Sequence, residues 1–254
     1  MKRIAIAGLL FFGILFGRAK AADQIPANVS YDDDVAARSM VTLTDVHLTP
    51  ATQPGQFGLE YTINNNSPRT LSAMVLQLGA ERPQDHKASL NGTSAKDMWI
   101  GGNEMPPGSH RVTAGGASFG VRPNTTSYRV HLAFVEFSDG DRIGTESMIS
   151  INRAWIRQGY LRMIHAHDHG TPDAELLDLA KPDPNMDPDR AFLTRAVSQY
   201  QQFVSWAEAA GGVAALVERG REIVADQRMI GVEDRAEKAI TAELEKMKSS
   251  PRRK

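Results

Sequence analysis

The spacing of apolar residues changes once along this chain, and that change constrains the fold more than any other feature. From about 40 to 145 the period is two. Phe57, Leu59, Tyr61 and Ile63 alternate with Gly58, Glu60, Thr62 and Asn64. Tyr128, Val130, Leu132 and Phe134 alternate with Arg129, His131 and Ala133. A strand turns successive side chains to opposite faces, so alternation marks strands with one buried face. Turn-forming stretches lie around them: Pro54-Gly55, Asn64-Asn65-Asn66-Ser67-Pro68, Asn91-Gly92, Pro106-Pro107-Gly108, Pro123-Asn124 and Asp139-Gly140. Short strands separated by turns, with no helical pattern between them, predict an antiparallel sandwich. The strands are expected near 40–49, 57–64, 70–80, 96–100, 109–119, 127–138 and 142–146.

From 147 onward the period becomes helical. Met148, Ile151, Trp155, Ile156, Tyr160, Met163 and Ile164 recur at steps of three and four, predicting a helix over 147–167. Thr171-Pro172-Asp173-Ala174-Glu175 has a capping hydroxyl, a proline and early acids, which predicts a short helix to about 180. Lys181-Pro182-Asp183-Pro184 breaks it, and Asp187-Pro188 opens a long helix that Gly211-Gly212 ends. Two more helices are expected, one over 213–228 and one after Gly231. The fold class is therefore α+β: an N-terminal antiparallel β-sandwich over 40–146, followed by an α-helical C-terminal region over 147–254. The spacing leaves open whether the helices form their own bundle or pack on the sandwich.

The first 21 residues predict export. Lys2 and Arg3 precede an apolar run from Ile4 to Phe16, and Ala19-Lys20-Ala21 offers small residues at a cleavage site. A spanning helix needs about 20 apolar residues, and Arg18 ends this run too early. The expected product is a periplasmic or secreted protein with no stable membrane insertion. Residues 22–39 are polar, with the acidic run Asp32-Asp33-Asp34, and read as a loosely ordered leader. The chain has no cysteine, so disulfides and cysteine chemistry are excluded and packing must supply the stability. The net charge of −1 includes Lys2, Arg3, Arg18 and Lys20, so a cleaved chain is more acidic still. Nucleic acid is a poor partner for such a balance.

Three patterns bear on chemistry. Gly116-Ala117-Ser118-Phe119-Gly120 matches the G-x-S-x-G nucleophile elbow, which works only where a strand turns sharply into a helix. Pro123 and the β-rich residues that follow oppose that turn. Asp183-Pro184-Asn185-Met186-Asp187-Pro188-Asp189 resembles the start of a calcium loop, but Pro188 and Thr194 stand where glycine and glutamate are needed. His165-Ala166-His167-Asp168-His169 gathers three of the seven histidines. Imidazoles at this density suit a divalent transition metal, and they also suit the negative end of a helix. On a helix His165 and His169 share a face; on an extended segment all three would.

Leu59-Glu60-Tyr61-Thr62-Ile63-Asn64-Asn65-Asn66-Ser67 and Val135-Glu136-Phe137-Ser138-Asp139-Gly140-Asp141 resemble strand-and-turn stretches of bacterial exported immunoglobulin-like β-sandwich proteins. The resemblance covers 40–146 and implies an immunoglobulin-like frame that acts as a binding or spacer module; it assigns no catalytic residue. The leading expectation is an exported, non-enzymatic binding or scaffold protein of the bacterial envelope, with no cofactor. Its partner would be another envelope protein or a second copy. The alternative is a metal-binding protein using His165, His167 and His169.

Overall fold

The computed structural model describes residues 25–31, 33–50, 56–82, 85–113, 118–120, 127–180 and 193–249. The export segment and the Asp183–Asp189 stretch lie outside these residues. In chain order the elements are β1 (Ile25–Tyr31), α1 (Asp33–Ser39), β2 (Val41–Pro50), β3 (Gln56–Asn65), β4 (Leu71–Arg82), β5 (Asp85–Asp97), β6 (His110–Thr113), β7 (Ser118–Gly120), β8 (Ser127–Phe137) and β9 (Arg142–Gly144). Then follow α2 (Ser147–Asp168), α3 (Asp173–Leu176), α4 (Leu193–Ala210), α5 (Val213–Ala225) and α6 (Val232–Ser249), with short 3-10 turns at Leu177–Ala180 and Gln227–Met229. The protein is thus mixed α+β, with strands first and helices last.

Two antiparallel sheets form the N-terminal part. In one, β2 pairs with β3, and β3 with both β6 and β7. In the other, β4 lies between β5 and β8, and β9 pairs with β8. Strand β1 joins the two. Ile25 and Pro26 run antiparallel to β2, then Ala27 to Tyr31 run parallel to β8. Proline has no N–H to give a ladder, so Pro26 suits the point where pairing passes from one sheet to the other. Val41, Leu43, Leu59, Ile63, Leu76, Val130 and Leu132 meet between the sheets as one buried cluster.

The stretch expected to be a loose leader therefore carries both β1 and α1. Val35 is 3% exposed and joins the sandwich core. The buried Ser39 hydroxyl accepts from the Val41 N–H at 3.2 Å. Two strand expectations shift as well. The strand placed at 96–100 is the end of a longer one, and the chain turns after Asp97, whose carboxylate accepts from the Ile100 N–H at 3.3 Å. Asn91-Gly92 forms no turn; Leu78 faces Gly92 and Gly79 faces Leu90, so Asn91 is the extra residue of a bulge inside β5.

A second bulge decides which side chains reach the helices. Val75 faces Phe134 while the next residue, Leu76, faces Leu132, leaving Ala133 extra. Simple alternation would send Phe134 to the same face as Tyr128, Val130 and Leu132. The extra residue reverses the parity: Val135 and Phe137 continue the sandwich face, and Ala133 and Phe134 turn outward. There they join Ala73, Val75, Met148 and Ile149 in a buried patch between sheet and helix. The sheet of β4 and β8 is consequently a middle layer, covered on one face by the other sheet and on the opposite face by α2.

The helices also have a core of their own, so they both bundle and pack on the sandwich. Its centre is aromatic. Tyr160 meets Phe203 edge-on at 4.9 Å between ring centroids, and Phe203 meets Trp206 edge-on at 5.4 Å. Edge-to-face pairs of this kind contribute about 0.5–1.5 kcal/mol each beyond their buried area. Gly220, inside α5, lets that helix approach: a Cβ there would lie 2.3 Å from the Tyr160 ring.

Gly144 sits at φ +95°, and a Cβ on it would meet the Ala133 carbonyl oxygen at 2.1 Å. It is the residue that lets β9 close against the bulge. Gly144→Ala should destabilise the protein by about 2 kcal/mol or more, combining left-handed strain with a backbone clash. A denaturant titration of the variant beside the wild type checks this.

Candidate functional site

Helix α2 turns Ile149, Ile156, Tyr160 and Met163 inward, and Arg153 belongs to the same stripe. A cation in an apolar stripe must find partners, because an unpaired buried charge costs several kcal/mol. Arg153 is 1% exposed. Its Nε donates to Asp97 Oδ2 at 2.6 Å and Nη2 to Asp97 Oδ1 at 3.2 Å. Nη2 also donates to Glu136 Oε1 at 2.6 Å, and Nη1 to Glu136 Oε2 at 3.0 Å. Each carboxylate is thus gripped through both oxygens, the strongest geometry a guanidinium offers. Asp97 ends β5, and Glu136 stands on the outward parity that the β8 bulge created.

The network extends from this centre. Arg142 of β9 donates to Glu136 Oε2 at 2.7 Å and reaches Glu146 at 3.5 Å. Glu146 in turn lies 3.4 Å from Arg235 of α6. Two cations also approach the Trp99 ring, the Arg228 guanidinium at 3.8 Å and the Arg153 guanidinium at 5.1 Å from its centroid. Arg228 is held by Asp226 through Nε at 2.9 Å and Nη2 at 2.8 Å, and lies 3.4 Å from Glu104 and from the Ser72 hydroxyl. Ser72 donates to Glu104. Arg219 of α5 donates to the Ile100 carbonyl at 2.5 Å.

Charge states follow the environment. Burial pushes the Asp97 carboxyl above the usual carboxylate range, against the pull of Arg153. Burial opposes the Arg153 charge too, but Asp97 and Glu136 outweigh it, and the guanidinium is held above its ordinary value. The hydrogen bond from Arg228 holds Asp226 below the usual range. Chemically the constellation is a clamp. Its contacts tie β4, β5, β8, β9 and the turn after β5 to α2, α5, α6 and the 3-10 turn at Gln227–Met229.

The residues singled out from the sequence lie elsewhere. Ser118 is within strand β7 opposite Gly58, not at a strand-to-helix turn, so the hydrolase elbow lacks its geometry. His165, His167 and His169 are in and just after the last turn of α2. The Gly170 N–H donates to the His167 carbonyl at 3.0 Å and the Thr171 N–H to that of Ala166 at 3.0 Å, which closes the helix. The helical geometry separates the trio. The His165 and His169 rings are 4.2 Å apart, whereas His167 lies beside Asp168 at 3.6 Å. Asp168 is itself paired with Arg221 of α5. Among the described residues, no three His, Asp or Glu side chains converge to hold a metal. The clamp residues carried two sequence signals, an arginine on the buried stripe of α2 and, in Glu136, an acid on the apolar parity of β8; Asp97 carried none.

No protein-family model matches this chain, and no curated protein matches it in sequence.

Removing one member of the clamp leaves the others charged and buried. Arg153→Met should therefore cost about 3–5 kcal/mol, measured by denaturant unfolding. Converting Arg153, Asp97 and Glu136 together to apolar residues of similar size should cost less than that single change. Asp226 gives the joint a pH dependence. Its depressed folded pKa means its stabilisation is complete above about pH 4 and is lost as pH falls through the folded value. The difference in Tm between wild type and Asp226→Asn should accordingly shrink as pH is lowered below about 4.

Proposed function

We propose that this chain is an exported, non-enzymatic binding or scaffold protein of the bacterial envelope, built on an immunoglobulin-like sandwich. The observation that carries the reading is the division of the two sheet faces. The sheet of β4 and β8 is covered by helices and clamped to them. The outer face of β2 and β3 is instead a ladder of polar side chains: Asn66 donates to Thr42 and Asn64 to Thr44, each at 3.2 Å, and His47 meets Glu60 at 3.1 Å. This sheet reaches β6, which among the described residues pairs with β3 alone. Val112 on β6 is 72% exposed. An edge strand with unpaired backbone groups and an exposed β-branched side chain suits strand addition by an extended segment of a partner. The passage of β1 from one sheet to the other supports the immunoglobulin-like frame, because it ties both sheets to one strand.

A photo-cross-linking residue at Val112, in the full chain exported by its own cells, tests the reading. A discrete adduct at Val112, absent when the cross-linker replaces Leu161 on the helical side, is the expected result. The adduct mass separates another envelope protein from a second copy. Adducts no stronger at Val112 than at Leu161 would sink the proposal.

A further inference from the structure

The end of α2 offers a ligand set narrower than the histidine-rich sequence suggests. His165 and His169 stand one turn apart, both exposed, with ring centroids 4.2 Å apart and planes tilted by 44°. His169 Nδ1 lies 2.7 Å from the His165 carbonyl oxygen. A carbonyl only accepts, so Nδ1 carries the proton and donates it. That fixes the tautomer and leaves the His169 Nε2 lone pair free. Metal-binding imidazoles are typically oriented this way, by an N–H donated to a backbone carbonyl.

We propose that His165 and His169 form a two-imidazole chelate for a nitrogen-seeking divalent ion, Cu(II) before Ni(II) or Zn(II). With metal–nitrogen bonds of about 2.0–2.1 Å, two rings meeting one ion at a right angle have centroids roughly 4.5 Å apart, close to the observed spacing. Small side-chain rotations supply the remainder, because both rings are on the surface. His167 is excluded: two residues along a helix from each of the others, it projects away from their shared face and lies against Asp168. With two protein ligands, the ion keeps open positions for water or for a donor from a partner. The order of metals follows the general affinity series for nitrogen sites.

The test is titration of the untagged full chain with CuCl2 and, separately, NiCl2, followed by calorimetry and by the spectrum of the bound copper. One equivalent of Cu(II) should bind at a site showing two nitrogen ligands. His165→Ala and His169→Ala should each weaken it by at least about tenfold. His167→Ala should leave it unchanged. Because His165 and His169 are exposed and His167 is only half-buried, the variants should keep a near wild-type thermal melt, so lost binding reads as lost ligands. Binding unchanged in the His165→Ala/His169→Ala double variant would overturn the proposal. Equal weakening by His167→Ala would overturn it as well, by showing that a different donor set holds the ion.

Discussion

Arg153 carries a full charge into the contact between sheet and helix, and its surroundings are arranged to hold it. Desolvating a guanidinium and two carboxylates costs several kcal/mol per ion, which pairing recovers only when geometry and hydrogen bonding are nearly complete. Four hydrogen bonds to Asp97 and Glu136 meet that condition. Such a cluster adds little net stability compared with an apolar core. Its consequence is positional: α2 can sit on this sheet in one register only, because any slip leaves three charges buried without partners.

The clamp depends on an irregularity in β8. Without the extra residue at Ala133, Glu136 would point into the sandwich core and Phe134 would be lost from the helix-facing patch. The bulge lets β8 keep Val135 and Phe137 in the sandwich core while it turns Ala133, Phe134 and Glu136 toward the helices. Gly144 belongs to the same device, since only a residue without a Cβ lets β9 pair with β8 beside Ala133. Apolar contact at Ala73, Val75, Phe134, Met148 and Ile149 then supplies adhesion, while the ion pairs supply register.

Two regions stay outside this joint and keep their polar groups toward water: the outer face of β2 and β3, and the end of α2. On the first, cross-strand Thr, Asn, His and Glu pairs make a solvated surface that leads to the β6 edge. On the second, the closing turn at Gly170 fixes where His165 and His169 stand. The clamp holds both on one body by fastening the helices to the sandwich, so a ligand at either site meets a surface whose neighbours are already positioned.

Much of this was legible in the residues themselves, because local periodicity reports which side of an element is buried. The alternation at Leu59, Tyr61 and Ile63, the helical stripe from Met148 to Met163, and the break at Gly211-Gly212 follow from backbone geometry that neighbouring residues share. Strand β1 was not expected, although Ile25, Ala27, Val29 and Tyr31 alternate with Pro26, Asn28 and Ser30: the stretch is short, polar overall and runs into an acidic triplet, and its partners in β8 lie about a hundred residues away. Nor was the parity change in β8, because a bulge is created by the pairing of two strands and leaves no mark on one of them. Asp97 carried no mark of burial and simple alternation put Glu136 on the sandwich-core face, so only the bulge and the approach of α2 made them partners of a buried arginine. The sequence by itself determined the order and type of the elements, through the spacing of apolar side chains. Tertiary structure alone decided which charges are buried together and which histidines share a face, because those are properties of distances between segments that the chain brings together only by folding.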